Sequence, residues 1–370
     1  MSSHTISKIQ SHETFNELDA VFLTKPENII YVLGFGIESE SFLVLYNKSI
    51  NEGKVWLFLN ALEYDQAKYK IEDDKSLSEF VEIKQIPGGK QDFVYNTVNE
   101  LNLKRVGFED NYIPVVKYNE WKKSFEIPEF KSASQIISDA RCVKTEEEIQ
   151  RMQIAAKLGD IGFKRIFDII EEGMTEKQLA AEAEYAMRKA GSDGTSFNTI
   201  VASGENSAYP HAKTSEKKIQ NGDLIIVDIG AKYDGYCSDM TRTFIFGDVD
   251  EKKKELLHLV NSGQQFALDR VKAGLSGKKL DELVRNYFSK EHKQWGKRFI
   301  HSLGHGVGID IHEKPYLSPI SEDILEENMT VTIEPGLYIQ GLGGARTEDQ
   351  VVITEDGYYP LTKSKKIYYD

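Results

Sequence analysis

The fold is decided by a stretch that begins with Leu224-Ile225-Ile226-Val227-Asp228 and continues through Asp234-Gly235 to Asp239. The apolar run has the length and composition of a strand, and Asp-Gly is a strong signal for a two-residue hairpin turn. With the turn at Asp234-Gly235, position 228 faces position 241 across the ladder, so Asp239 projects from the same face as Asp228. The stretch therefore predicts an antiparallel hairpin with two carboxylates on one face.

Two carboxylates at that spacing have two interpretations. They repel each other unless a proton or a cation lies between them, which makes the pair a candidate cation site. Alternatively, one or both lie on a solvated face. The hairpin alone leaves both interpretations open.

Around this hairpin, the second half of the sequence predicts helices packed on a sheet rich in hairpins. Thr145-Glu146-Glu147-Glu148 is a capping-box pattern that begins a long amphipathic helix. A second capping box, from Thr175 to Gln178, begins a helix that Gly191 ends. Periodicity predicts further helices at about 250–273 and 277–289, and strands at 224–229, 241–246, 330–333 and 350–353.

The first half, up to about residue 135, alternates short apolar segments with amphipathic stretches, which indicates a mixed α/β domain. Residues 136–145 lack periodicity and are predicted to be a connection. We therefore expect an α/β (α+β) chain of two domains, residues 1–140 and 141–370. The elements predicted in the first half are strands at 20–24, 29–33, 42–46 and 55–59, and helices at 62–69, 92–101 and 115–125.

The composition excludes several classes of protein. The chain has 370 residues and a formal net charge of −13, and a surface this negative repels nucleic acid. Two cysteines, Cys142 and Cys237, cannot form a disulfide framework and suit a reducing compartment. Residues 1–20 do not resemble a signal peptide, and the longest uncharged apolar stretch, residues 28–37, is too short to span a membrane. We expect a cytoplasmic protein that binds neither nucleic acid nor membranes.

Histidines and an acid lie at unusual positions in the last part of the chain. His301, His305 and His312 surround the glycine-rich run of residues 304–308, and glycines let a ligand or another backbone approach closely. Glu334 ends an apolar strand immediately before Pro335-Gly336. Taken singly, glycine-rich turns with a histidine are common, and a turn acid is usually solvated.

Two further segments carry polar groups of interest. Arg346-Thr347-Glu348-Asp349 precedes an apolar strand, and His211 ends the loop that begins at Gly204. For Arg346 and Glu348 alone, a surface ion pair is the simplest interpretation, and a loop histidine often satisfies only local carbonyl groups. Each segment is therefore inconclusive by itself.

Taken in order, these residues resemble the pattern of a known family. An aspartate and a second one eleven residues on, Gly-His-Gly with a histidine seven residues later, Ile-Glu-Pro-Gly and Arg-x-Glu-Asp are similar to the dinuclear metallopeptidases of the pita-bread fold. That family includes methionine aminopeptidases, aminopeptidase P, prolidases and creatinase. The resemblance covers residues 145–370 and implies a catalytic domain in which helices cover an antiparallel sheet. It also implies the metal ligands Asp228, Asp239, His305, Glu334 and Glu348.

The first half is similar, more loosely, to another part of some of these proteins. Residues 25–31 and 62–64 resemble segments of prolidase-type N-terminal domains, over roughly residues 8–130. The resemblance implies a creatinase-like N-terminal α/β domain, which methionine aminopeptidases generally lack. It places the chain in the prolidase and aminopeptidase P branch, whose members are commonly dimers, so we expect a homodimer.

The chemistry of the implied ligands is consistent with hydrolysis. Four carboxylates and one imidazole form a hard, oxygen-rich site suited to Mn²⁺, Co²⁺, Fe²⁺ or Zn²⁺, of which we expect Mn²⁺. The charge of four carboxylates matches that of two divalent ions, and a hydroxide that bridges two such ions is a nucleophile at neutral pH.

The resemblance also implies roles for individual residues. Glu334 would take the proton of the attacking water while also ligating metal, and His312 would donate a hydrogen bond to the developing oxyanion. His211 would contact the substrate near the leaving group, and His301 would line the pocket beyond the cleaved bond. Arg346 would orient Glu348 or a neighbouring acid.

The expected substrate is a short peptide with proline in its second position. A bond that precedes proline has no N–H and has a fixed φ beyond it, so ordinary peptidases fail there. We expect an Xaa-Pro dipeptidase, that is, a prolidase. Many prolidases have an arginine in the segment from His312 to Glu334, and here that segment has none, which keeps aminopeptidase P, acting on longer peptides, as the alternative. A non-catalytic pita-bread binding protein and creatinase are disfavoured because the ligand set is complete.

Overall fold

We describe the protein from a computed structural model that covers residues 2–248 and 250–366. Within these residues the chain divides into two compact units between Arg141 and Cys142. Within the same residues, none of the helices combines the length and the apolar character that crossing a bilayer requires.

Within residues 2–141, six strands form one mixed sheet with the order β4-β3-β2-β1-β5-β6. Its strands are β1 (Ala20–Leu23), β2 (Phe42–Tyr46), β3 (Val55–Leu59), β4 (Val81–Gln85), β5 (Arg105–Phe108) and β6 (Glu129–Ser132). The helices of this unit are α1 (Ser2–Gln10), α2 (Pro26–Leu33), α3 (Ala61–Asp73), α4 (Lys75–Ser78), α5 (Asp92–Asn99), α6 (Val115–Ser124) and α7 (Ser134–Cys142). An aromatic cluster that includes Phe22, Phe42, Trp121 and Phe125 packs helix against sheet.

Two predictions for the first half are wrong. Residues 29–33, predicted as a strand, belong to helix α2, which begins at Pro26 and ends at Gly34 with a φ of 79°. Proline in the first turn and glycine in the left-handed conformation after the last turn are common at helix ends. Pro26 and Gly34 therefore indicate a helix between them. Residues 136–142, predicted as a connection, lie in helix α7, which buries Ile136, Ile137 and Ala140.

The second unit contains four longer helices and several small antiparallel sheets. The helices are α8 (Glu146–Ile169), α9 (Glu176–Lys189), α10 (Glu251–Leu268) and α11 (Gly277–Glu291). The first strands are β7 (Gly194–Thr195), β8 (Ile200–Ser203), β9 (Asp223–Ile229), β10 (Ala231–Tyr233), β11 (Tyr236–Cys237) and β12 (Met240–Phe246). The later strands are β13 (Gly304–Gly306), β14 (Glu313–Leu317), β15 (Thr330–Ile333), β16 (Gly336–Ile339), β17 (Gly343–Arg346), β18 (Asp349–Ile353) and β19 (Tyr358–Pro360).

Each pair of helices buries its apolar stripe against a different sheet. Helices α8 and α9 share an apolar core with β8, β9 and β12, and Leu158 and Leu179 lie in it. Helices α10 and α11 share another core with β15 and β18, to which Val260 and Val284 belong. The hydrophobic effect thus holds the two sheets under separate helix pairs, and polar side chains are left at the strand ends.

The predicted hairpin is confirmed in its register and differs at its tip. Asp234 and Gly235 have φ values of 47° and 84°, as a turn with two left-handed residues requires. Thr241 is the cross-strand partner of Asp228, as the spacing predicts. Near the turn, β10 and β11 leave this ladder and pair in another sheet with β7, so Asp239 lies immediately before β12 rather than within it.

Strand β9 directs Asp228 away from the core that its alternate residues enter. Ile225, Val227 and Ile229 belong to the core beneath α8 and α9. Because successive side chains on a strand point to opposite faces, Asp228 projects away from that core. Hydrophobic burial of its neighbours therefore orients this carboxylate.

We expect Thr145→Ala to destabilise the second unit modestly. Thr145 Oγ1 accepts the Glu148 amide at 3.3 Å, and Glu148 Oε2 accepts the Thr145 amide at 2.8 Å. Loss of such an N-cap costs about 1 kcal/mol, so the urea midpoint of the variant should fall. An unchanged midpoint would contradict the role of this capping box.

Candidate metal centre

All of the predicted site residues line one cavity in the second unit. The cavity has a volume of about 330 Å³. The residues that the sequence predicted for the site and that line this cavity are His211, Asp228, Asp239, His301, His305, His312, Glu334, Arg346 and Glu348. Side chains separated by more than a hundred positions are thereby brought together.

The five expected ligands project from strand ends or strand interiors. Asp228 lies in β9 and His305 in the middle of β13. Asp239 immediately precedes β12, Glu334 immediately follows β15, and Glu348 immediately precedes β18. Because each of these residues lies in or directly beside a different strand, the spacing of the five groups depends on how the helices hold the sheets.

The side-chain atoms of this set approach each other as metal ligands would. His305 Nε2 lies 3.3 Å from Glu334 Oε1 and 3.6 Å from Asp239 Oδ2. One ligand atom from each of Asp239, His305 and Glu348 lies within 4.8 Å of the others. Three donor atoms at this separation can bind one cation.

The electrostatics of the cluster are unfavourable without a cation. Burial, together with the neighbouring Glu348, raises the pKa of Asp239 well above its usual value. Burial raises the pKa of Glu334 to about 8, and burial with the adjacent Glu334 raises the pKa of Glu348. Carboxylates whose charged forms are disfavoured in this way gain most from a nearby positive charge.

Asp228 provides an independent test of whether the site fits a metal ion. Its Oδ2 accepts a hydrogen bond from Arg346 Nη2 at 2.6 Å. Its Oδ1 is buried and has no hydrogen-bond partner among the described residues. A buried, unpaired carboxylate oxygen is costly, and a cation would satisfy it. The donor set, mostly carboxylate oxygens with one imidazole, fits divalent ions.

A layer of polar groups holds the ligands, and the sequence alone did not identify it. Thr241 Oγ1 donates to Glu348 Oε2 at 2.7 Å, and Thr332 Oγ1 donates to Glu334 Oε1 at 3.2 Å. Gln350 Oε1 accepts the backbone N–H of Asp239 at 3.2 Å. One signal could have identified Thr241: the hairpin register places position 241 opposite Asp228.

The contacts of Arg346 differ from one of the two sequence interpretations, the surface ion pair, and are consistent with the other, in which Arg346 orients Glu348 or a neighbouring acid. The surface ion pair is wrong, since Arg346 and Glu348 are 5% and 2% exposed. The guanidinium pairs with Asp228, and it also donates to Tyr338 Oη at 2.8 Å and to Thr241 Oγ1 at 3.1 Å. Tyr338, which the sequence analysis missed, lies at the third position of β16, three residues beyond Pro335.

The histidines outside the ligand set surround the same cavity. His301 Nε2 lies 3.1 Å from Tyr338 Oη, and the His312 ring stands edge-on to that of His305 at 4.3 Å between centroids. Burial, with Arg346 nearby, lowers the pKa of His301 to about 3. Burial also lowers the pKa of His312, and that of His305 falls to about 4. At neutral pH these imidazoles are therefore uncharged and can ligate a metal ion or donate a hydrogen bond.

Comparison with known proteins agrees with this geometry. The model of metallopeptidase family M24 matches residues 150–355, and that of the creatinase/prolidase N-terminal domain matches residues 6–143. The Xaa-Pro dipeptidase of Pyrococcus furiosus is 37% identical over 351 residues, which are 95% of each chain.

Solved structures give the same result. An Xaa-Pro dipeptidase from Bacillus anthracis superposes with a TM-score of 0.91 at 34% identity, over 100% of this chain and 99% of the other. An X-Pro aminopeptidase from Thermotoga maritima superposes with a TM-score of 0.86 at 33% identity, over 95% of this chain and 97% of the other.

The fold and the family matches are thus those of a metallopeptidase. The chain belongs to metallopeptidase family M24 and carries a creatinase/prolidase N-terminal domain. The expectation of a creatinase-like domain followed by a pita-bread domain is confirmed. Membership of this family implies divalent metal ions.

Proposed function

We propose that this protein is an Xaa-Pro dipeptidase whose metal ligands are Asp228, Asp239, His305, Glu334 and Glu348. The observation that carries the proposal is the buried cluster of these side chains in one cavity, with an unpaired carboxylate oxygen on Asp228. The identity of 37% with a dipeptidase over nearly the whole chain supports the substrate class. We expect two ions, with Mn²⁺ the best fit to the oxygen-rich donor set.

The residues around the cluster would have separate roles in hydrolysis. When bound, divalent ions supply an activated water and polarise the carbonyl group to be cleaved. Glu334 lines the same cavity and would accept and release the proton of the attacking water at its carboxylate. His312 faces the cavity as a neutral hydrogen-bond donor, and Arg346 fixes Asp228.

The remaining cavity wall suits a proline ring. Phe197, Ile200 and Ile311 line it beside the histidines. A pyrrolidine ring is apolar and lacks an N–H, so apolar side chains are suitable neighbours for it. The apolar wall and the proposed metal ligands share one cavity, which supports binding of the proline next to the reacting bond.

A second candidate is an Xaa-Pro aminopeptidase acting on longer peptides. A dipeptide ends in a carboxylate close to the cleaved bond, which a cation would hold. The guanidinium of Arg346 is already paired with Asp228, and burial lowers the pKa of His301 and of His312, so both are neutral. The segment between His312 and Glu334 contains no arginine that could bind a free proline carboxylate. This favours substrates whose proline carboxyl group is in a peptide bond.

A metal-reconstitution assay tests both candidates. Protein stripped with a chelator is supplied separately with Mn²⁺, Co²⁺ or Zn²⁺ and is given Ala-Pro, Ala-Pro-Ala or Ala-Ala. Hydrolysis of Ala-Pro alone supports the dipeptidase, whereas release of alanine from Ala-Pro-Ala supports the aminopeptidase. Cleavage of neither proline peptide with any metal would refute both.

We expect His312→Ala to lower kcat by about 10²–10³-fold, which is typical for the loss of an oxyanion donor. Metal content should not change, because His312 is not in the proposed ligand set. His258→Ala, at an exposed histidine on α10, is the matched control and should retain full activity. A loss of bound metal in His312→Ala would instead indicate that this residue is a ligand.

A further inference from the structure

Glu176 is a fully buried carboxylate outside the metal centre. It is the first residue of α9 and is 0% exposed. It does not line the metal-centre cavity. Its two oxygens accept five hydrogen bonds: from Ser203 N at 2.7 Å, Ser203 Oγ at 2.8 Å, Asn206 Nδ2 at 2.9 Å, Ser215 N at 2.9 Å and Ser215 Oγ at 2.7 Å. A carboxylate with this many donors is held in one orientation.

These donors lie at the two ends of one loop. Ser203 is the last residue of β8, and Ser215 lies twelve positions later. One carboxylate oxygen binds Ser203, and the other binds Ser215 and Asn206. Glu176 therefore closes the segment of residues 203–215, referred to below as the histidine loop, because it carries His211.

The opposite side of the histidine loop faces the metal centre. Arg346 Nη1 lies 3.4 Å from the carbonyl oxygen of Pro210, and Gly344 N donates to Ser207 Oγ at 2.9 Å. His211 itself is exposed and lines the cavity. An exposed side chain with little packing of its own takes its position from the backbone that carries it, and Glu176 holds that backbone at both ends.

Only a carboxylate of this length satisfies both ends of the loop. Glutamine has the same shape, but its NH₂ group is a donor, so it would face the donors of Ser203 or of Ser215. A buried donor left without an acceptor is destabilising. The destabilisation would be confined to the histidine loop. The N-terminus of α9 would keep its capping box, because that box is formed by Thr175 and Gln178.

We propose that Glu176 is a positioning residue for catalysis, which sets the place of His211 over the metal centre by closing the histidine loop. The proposal rests on the proposed peptidase function, in which His211 contacts the substrate. Glu176 acts through the backbone of the loop and not through the metal ligands. Its loss should therefore affect turnover while metal binding persists.

The first test is Glu176→Gln, with Glu184→Gln on the exposed side of the same helix as the matched control. We expect kcat/KM for the better of Ala-Pro and Ala-Pro-Ala to fall about 10- to 100-fold, as for an ångström-scale misplacement of a catalytic group. Metal content should equal that of the wild type. Hydrogen exchange should accelerate in residues 203–215 only, and the control should match the wild type in every readout.

A double-mutant cycle separates positioning from general damage. If Glu176 acts through His211, Glu176→Gln should lower kcat/KM by less than about threefold in a His211→Ala background. Equal losses in the two backgrounds would overturn the proposal, and so would an active Glu176→Gln protein with wild-type kinetics. If Glu176→Gln does not fold, Ser215→Ala, which removes one donor and leaves the carboxylate, should lower kcat/KM by about 3- to 10-fold.

The two proposals fail in different ways. A wild-type protein that cleaves no proline peptide with any metal refutes the proposed function. Hydrogen exchange requires no substrate, so unchanged exchange of residues 203–215 in Glu176→Gln would still refute the anchoring of the loop. Cleavage by the wild type together with unaltered kinetics in Glu176→Gln refutes the positioning role alone.

Discussion

Asp239→Asn is expected to lower activity by at least about 10³-fold while leaving the fold intact. Asparagine has nearly the same shape as aspartate but lacks the negative charge that a divalent cation requires. The several kcal/mol by which metal ions stabilise a transition state convert to a loss of this size. The measurement pairs kcat/KM for a proline peptide with bound metal per chain, and the variant should lose metal stoichiometry.

The same substitution should make the metal-free protein more stable. Burial and Glu348 raise the pKa of Asp239, so its charge disfavours the folded state when no cation is bound, and asparagine removes that charge. Asp234→Asn, at the exposed turn of the same hairpin, is the control, because asparagine also accepts a left-handed φ. Unchanged activity and metal content in Asp239→Asn would refute the ligand assignment.

Removal of metal by a chelator is expected to reduce hydrolysis to background, with recovery on addition of Mn²⁺. The apparent affinity for Mn²⁺ should rise with pH, because protons and metal compete for the same carboxylates. The pKa of Glu334 in the metal-free protein is about 8, so below that pH metal binding must displace a proton. Titration of metal at several pH values, with proton release measured, tests this prediction.

The stability of the metal-free protein should fall as the pH rises, whereas its affinity for Mn²⁺ should increase. Glu334 has a folded-state pKa of about 8 against an ordinary value of 4.5, so the folded state binds its proton more tightly than the unfolded chain does. The resulting stabilisation is fully present below about pH 4.5 and is lost as the pH rises through about 8. The increase in Tm on adding Mn²⁺ should therefore be larger at about pH 8.5 than at about pH 6. An increase that does not depend on pH would contradict the raised pKa.

Local signals made much of the fold predictable. The turn residues Asp234 and Gly235, each with a positive φ, determine the register that places Thr241 opposite Asp228. Thr145 and Thr175 begin helices through capping boxes that are both present. These features depend on residues within a few positions of each other, so the sequence contains everything needed to predict them.

Where local signals conflicted, the prediction was wrong. Residues 29–33 have the composition of a strand, yet Pro26 and Gly34 delimit a helix around them. Helix α7 was missed because its buried residues, Ile136, Ile137 and Ala140, form only a short stripe. Local helix-end signals outweighed composition in the first segment, whereas tertiary packing decided the second, since intrinsic propensities are small compared with the burial of several apolar side chains.

The sequence by itself determined which chemical groups are available to the site. The order of these groups along the chain has the pattern of the M24 metallopeptidases. Only the tertiary structure decided how those groups are used. Arg346 binds Asp228 rather than Glu348, Tyr338 accepts a hydrogen bond from Arg346, and Glu176 closes the loop of His211. The reason is physical: hydrogen bonds and charge interactions act over a few ångströms in space. Partners separated by tens of residues become neighbours only when the helices bury their apolar faces against the sheets.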